Sequence, residues 1–249
     1  MRDFFRKLFE RAPSAGERAA ATEVAPGARV ALPVETVSVP GKSAVAERER
    51  LAQRPGVTPI IMGAPEDVEL IAELLEAPGE APSQTLEKAA ALDVETWLRE
   101  RQASVFGGEP LPTGPWPGGQ AEPGGLSVHL DVLSKKPKPE VLIGLFPTPD
   151  AWKAPAFVRY GGWNECPEAH VHVALHRRWH ELHGARIACL SGDIVECLVD
   201  RPPATREAAL ALAREQYLYC PDIVDQGVET VENLAATLLG GKVWYFWWD

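Results

Sequence analysis

The order of elements after Pro139 constrains this chain more than any other feature. A buried strand, EVLIGLFP, precedes a helix near Pro167–His183 that Gly184 stops. Strands ARIACLS and IVECLVD follow, joined across Gly192-Asp193, a glycine-first two-residue hairpin signal. Pro202-Pro203 and a Thr205 cap open the helix TREAALALAREQYLYC, another helix lies near Glu229–Leu239 after the loop PDIVDQG, and VWYFWWD ends as a strand. Setting the extra helix aside, this is β-α-β-β-α-β, the split βαβ of a ferredoxin-like sandwich. The expected fold is therefore α+β: a C-terminal β-α-β-β-α-(α)-β ferredoxin-like sandwich over residues 126–249, with a small, mainly helical N-terminal subdomain.

Upstream, residues 107–125 hold twelve Gly or Pro in nineteen, which admits neither helix nor central strand and reads as a linker. Residues 57–106 form the helical subdomain. Its strand is VTPIIMG; one helix opens at Pro65 with Val68, Ile71, Leu74 and Leu75 on a stripe, and a second spans Ser83–Val105 with Leu86, Ala90, Val94, Trp97 and Leu98 at helical spacing. LSVHLDVLS, after the linker, alternates as a strand. Residues 1–56 read as a largely irregular tether with one strand near Val34–Val39. The opening MRDFFRKLFERA sets Phe4, Phe5, Leu8 and Phe9 against Arg2, Arg6 and Lys7, an amphipathic helix that either touches a membrane surface or docks on the body. It lacks the apolar core of a signal peptide, and no run of eighteen apolar residues spans a bilayer.

The formal charge is −10, with 35 acidic against 25 basic residues, which opposes the phosphate attraction behind nucleic-acid binding. Residues 1–60 carry 10 basic and 7 acidic side chains, so the acidity lies in the remainder and suits a small polar or cationic ligand. Four cysteines without a CxxC pair point to a reducing cytoplasm rather than a disulfide framework or zinc ribbon. VPGKSA fails as a phosphate loop because Thr36 stands where the motif needs glycine, and HELHG spaces its histidines three apart rather than the four of HExxH.

Right-handed crossovers would bring the start of the first helix, the end of the second and the hairpin turn to one edge of the sheet. Trp163, Asn164, Cys166, His172, Asp193, Cys220, Asp222 and Asp225 should then converge. Cys166, directly before Pro167, is placed at the helix cap, where the dipole favours a thiolate; the competing reading is a small buried corner residue. Cys220 follows a helix end and reads as packing. Cys189 lies opposite position 196 of the hairpin and position 188 opposite Cys197, so those sulfurs leave from opposite faces. His172, His176 and His180 recur at four-residue steps and read as a solvated helix face rather than a metal site. Asp222 and Asp225 either bind a cation or amine or cap the next helix, and Trp163 with Asn164 either stacks a ligand or wedges the sheet end.

GGWNECP, HVALHRRWHELHGA, LSGDIVECLV, RPPATREAALALAREQYLYCPDIVDQG and WYFWWD, in this order, resemble a bacterial family known as domain of unknown function 4253, over about residues 140–249. ALDVETWLRERQ resembles the region some members carry upstream. His172 and His180 fall where the family pattern has histidine, whereas His176 and His183 depart from it. The resemblance implies an intracellular bacterial protein and no particular reaction.

With no nucleophile–base–orienter set assembled, the leading expectation is a non-catalytic binding module for a small polar ligand or a bacterial partner protein, an immunity protein being one version. The rival is an enzyme with Cys166 as nucleophile, His172 as base and Asp222 or Asp225 as orienter or metal ligand. A third reading is a homodimer through the aromatic terminal strand, whose faces carry Tyr245 and Trp247 on one side and Trp244, Phe246 and Trp248 on the other; cover from within the chain is the favoured alternative. No cofactor or resident metal is expected.

Overall fold

The computed structural model describes residues 32–105, 107–118 and 124–249; the opening amphipathic segment lies outside them. Six strands form one mixed sheet: β1 (Glu35–Val39), β2 (Thr58–Gly63), β3 (Val141–Phe146), β4 (Arg186–Leu190), β5 (Ile194–Leu198) and β6 (Val243–Trp247), in the order β1-β3-β2-β4-β5-β6. Only β2 and β4 run parallel.

The α+β class holds, but the strand order departs from the ferredoxin-like one. In that fold the last strand of the split βαβ lies at an edge beside the first, which is flanked on its other side by the third. Here both edges of β3 are taken by β1 and β2, so β6 pairs with β5 instead, giving an antiparallel β4-β5-β6 succession. The strands that displace it come from upstream. The expected strand near Val34–Val39 is present as β1, but the rest of residues 32–56 is no tether: it contributes helix α1 (Ala44–Leu51). LSVHLDVLS is not a strand either; it turns, with a single bridge between Leu130 and Pro137. Its alternation survives because Leu126 and Val128 face the sheet as a strap.

The remaining helices are α2 (Glu69–Glu76), α3 (Pro82–Ala91), α4 (Val94–Val105), α5 (Ala154–Phe157), α6 (Ala169–His183), α7 (Arg206–Tyr219) and α8 (Val231–Leu238). The single helix expected over Ser83–Val105 breaks at Leu92-Asp93, where Asp93 accepts from the Thr96 hydroxyl at 2.8 Å and starts a new helix. Gly184 stops α6 in the left-handed conformation (φ 63°), and Thr205 caps α7 by accepting from Ala208 N at 3.2 Å. The loop PDIVDQG winds into one π-turn, Ile223–Val228.

One sheet face packs Ile60, Met62, Phe146, Ile187, Val195, Trp244, Phe246 and Trp248 against Val171, Leu175 and Trp179 of α6 and Ala209, Leu212 and Tyr219 of α7. On the outer side of α6, Val173 and Ala174 meet Ala89 of α3 and Ala156 of α5. The opposite face is covered by Ala44 and Leu51 of α1 and by the 126–128 strap. The aromatic residues Trp244, Phe246, Trp247 and Trp248 are therefore buried within the chain, and their apolar surface needs no second copy to cover it.

Glu196 fastens that strap. Fully buried on β5, its carboxylate accepts from Ser127 N (2.8 Å), Ser127 Oγ (2.5 Å) and Val128 N (3.3 Å), with the Cys189 thiol as a further donor. Burial pushes its pKa up against those bonds. Glu196→Gln replaces an acceptor oxygen by a donor facing donors, and is expected to cost about 1–2 kcal/mol in urea unfolding. No change in midpoint would mean that the strap is held by Leu126 and Val128 alone.

Candidate functional site

Pro167 sets the entry to α6, but Glu168 rather than Cys166 is its cap residue: Val171 N and His172 N donate to Glu168 O at 2.9 and 3.2 Å. Cys166 sits two residues earlier, 4 % exposed, and burial first, then the nearby Cys220, push its thiol pKa up rather than down. The expected helix-cap thiolate is absent because the sulfur faces the core and not the first-turn N–H groups.

The predicted convergence is present. Asn164 Nδ2 donates to Asp249 O at 2.5 Å, and Asp249 N donates to Asp222 Oδ2 at 2.9 Å. Asp193 in the hairpin turn accepts from Trp247 Nε1 at 3.2 Å and, through its backbone carbonyl, from Trp248 N at 3.1 Å. The Cys220 thiol donates to Trp247 O at 2.9 Å. Asp222 also accepts from Gln226 Nε2 at 2.9 Å, and Asp225 from the Tyr217 hydroxyl at 2.8 Å. These carboxylates thus turn the chain as well as bordering the corner. All four cysteines are unpaired and buried. Cys189 faces Glu196 across the hairpin as expected, while a bulge moves the partner of Cys197 to Ile187.

The histidine stripe is the main correction. His172 and His176 are 0 % and 2 % exposed, not solvated, because their side of α6 packs on the end of α7 and on β5 and β6 of the sheet, against Tyr219, Cys197, Phe246 and Trp248. Their polar atoms are satisfied by a residue that the sequence reading passed over, Tyr219 at the end of α7. His172 Nδ1 and Tyr219 Oη are 2.5 Å apart, and His176 Nε2 and the same oxygen 3.0 Å. Beyond them, Cys166 Sγ lies 3.4 Å from His172 Nε2 and Cys197 Sγ 3.6 Å from His176 Nδ1. The result is a buried chain, Cys166–His172–Tyr219–His176–Cys197. Around its centre, the Tyr219 ring meets those of Trp179, Phe246 and Trp248 edge-on at 5.0–5.2 Å between centroids, leaving no polar route for water.

The proton positions in this chain are an assignment. The Pro167 carbonyl, which can only accept, lies close to His172 Nε2, and Nδ1 faces Tyr219, so we assign the His172 proton to Nε2. Nδ1 is then bare and takes the Tyr219 proton; Tyr219 Oη accepts from His176 Nε2–H; and His176 Nδ1 is left to accept the Cys197 thiol proton. Both imidazoles are neutral Nε2–H tautomers. Burial agrees, pressing the His172 pKa well below its ordinary value and that of His176 down to about 3.

The surface part of the corner is a strained loop. Arg159, Gly161, Gly162 and Asn164 all have positive φ (49°, 104°, 87° and 43°). Gly161 is required: a Cβ there would run into the Pro167 carbonyl and the His172 ring. The loop presents Trp163, whose indole Nε1 is buried without an acceptor, and whose ring meets Tyr160 at 5.1 Å. The hydroxyl of Tyr160 and the indole nitrogen of Trp248 are also without partners. Among the described residues, no three His, Cys, Asp or Glu side chains are arranged to hold a metal ion. Nor is any described helix long and apolar enough to cross a membrane.

No curated protein and no solved structure matches the chain. Residues 142–249 match a family model, beginning inside β3 and taking in the whole corner with its buried histidine chain. The model matched by this C-terminal part of the protein is that of the domain of unknown function family DUF4253.

Proposed function

We propose that the protein is a non-catalytic binding module of the cytoplasm. It takes a small polar, cationic ligand, or a partner protein presenting such a group, at the corner formed by residues 159–166, Asp193 and residues 222–225. The observation that carries this reading is the division of the corner into two zones. Its thiols and imidazoles are turned inward, while Trp163 stands half-buried on a strained loop with an unpartnered N–H, next to exposed Asn164, which Asp249 links to the Asp222 carboxylate. Strain of this kind persists where the surroundings hold a side chain in place. An indole face beside carboxylates favours a cation, and the indole N–H favours a ligand that also carries an acceptor. Four reduced thiols fit the cytoplasm. The inward-facing Cys166, with its raised pKa, weighs against the thiol-enzyme alternative.

Thermal unfolding with spermidine, agmatine, succinate and sulfate tests this. The cations should raise the midpoint in wild type and the anions should not, and Trp163→Ala should abolish the response. A cation response that survives Trp163→Ala, or none at all, would overturn the assignment. Iodoacetamide modifying Cys166 in the folded protein as fast as in the unfolded one would restore the enzyme reading.

A further inference from the structure

A cavity lies away from the corner, between the last turn of α4, the 110–113 segment, α7 and the start of α8. It encloses about 240 Å³, just below the usual range for drug-sized ligands. Leu111, Leu218 and Val231 give it an apolar floor, and Arg214 and Glu232 stand on its wall. These two charges share the cavity without pairing. Arg214 makes no ion pair or hydrogen bond among the described residues, and Glu232 engages only Gly114 N, at 2.8 Å through Oε2. In contrast, Arg101, Arg178 and Arg186 all hold carboxylates.

We infer that this cavity binds a free α-amino acid with an aliphatic side chain. A guanidinium and a carboxylate held apart over an apolar floor complement a molecule that carries a carboxylate, an ammonium and a branched hydrocarbon. Arg214 takes the carboxylate in a forked pair, Glu232 Oε1 takes the ammonium, and the side chain lies on Leu111, Leu218 and Val231. Glu232 is pre-positioned for this by the Gly114 N–H on its other oxygen. The anchoring of the 110–114 segment to α8, through Val231 N to Pro112 O at 2.9 Å, keeps the floor closed. This goes beyond the corner proposed above and uses none of its residues.

Calorimetric titration of the full chain with L-leucine, isoamylamine, isocaproate and glycine tests the inference. Leucine should bind, and each analogue, lacking one charge or the side chain, should be weaker by about tenfold or more. Arg214→Gln should weaken leucine by about tenfold and leave isoamylamine unchanged, whereas Glu232→Gln should weaken leucine and leave isocaproate unchanged. Arg214 is exposed, and Gln at 232 retains an acceptor for Gly114, so both variants keep the fold; Trp163→Ala should bind leucine as wild type does. Absence of leucine binding at millimolar concentration, equal affinities for the analogues, or loss of binding in Trp163→Ala would each overturn it.

Discussion

Taking the protein from pH 6.5 to pH 4 is expected to remove roughly 3 kcal/mol of folding stability through His176 alone. Its pKa is depressed to about 3 in the folded state, so the unfolded chain binds a proton across this interval that the folded chain refuses. A depressed group contributes stability that is complete above the unfolded value near 6.5 and is lost as pH falls toward the folded value. His172, fully buried and depressed for the same reason, adds a loss of the same sign. Glu196 works the other way: its raised pKa makes the folded state take up a proton before the unfolded one does, so it offsets part of the loss. Domains of this kind have about 5–15 kcal/mol to lose, so acid unfolding is expected near pH 4 rather than pH 2. Urea midpoints between pH 7 and 4.5 check this, and His176→Phe should reduce the slope by about one proton. Long-range ¹⁵N spectra should show both histidines neutral with the proton on Nε2 at pH 5. A midpoint independent of pH over this interval would overturn the proton assignment.

Tyr219→Phe is the substitution expected to cost most for the fewest atoms, about 2–5 kcal/mol. Removing one oxygen strands two ring atoms at once: His172 Nδ1 loses its donor and His176 Nε2–H loses its acceptor. Neither can recruit water, because the Trp179, Phe246 and Trp248 rings close round the vacated position. Tyr217→Phe is the control. Its hydroxyl bonds Asp225 in a partly exposed position, where water replaces the lost partner, and the cost should stay below about 1 kcal/mol. Chemical denaturation of the two variants side by side separates them; equal costs would show that the buried chain contributes nothing special.

Local chemistry carried much of the fold into the sequence. The stop at Gly184, the Thr205 cap, the hairpin at Gly192-Asp193 and the facing of Cys189 and Glu196 follow from short-range signals, and the structure has each of them. Pairing between distant strands leaves no such trace. Nothing in the composition of Glu35–Val39 or Thr58–Gly63 says that both will lie beside Val141–Phe146, so the order of strands came out differently. The corner nevertheless formed where expected, because β4-β5-β6 in succession sets the hairpin turn and the end of β6 at the same end of the sheet. Its interior was misread for a physical reason. Histidine on an amphipathic helix counts as polar, and only the long-range packing of α6 on β5, β6 and the end of α7 turns that face inward, against Cys197, Phe246, Trp248 and Tyr219. The clue available was the YLYC run, whose tyrosine lies at the right helix end to serve two imidazoles.

The stretch that matches the family starts at residue 142, yet β3 touches β4 only through β2, a strand encoded some eighty residues earlier. Two unconnected sheet fragments, separated by the width of a missing ribbon, are what a chain cut at that boundary would inherit. Both flanks of Val141–Phe146 would then lie bare, an invitation to aggregate. In this protein the recognisable module is therefore expected not to fold by itself: expression of the C-terminal part calls for residues from Glu35 onward, and a swap of that part into another scaffold would have to carry its upstream strands along.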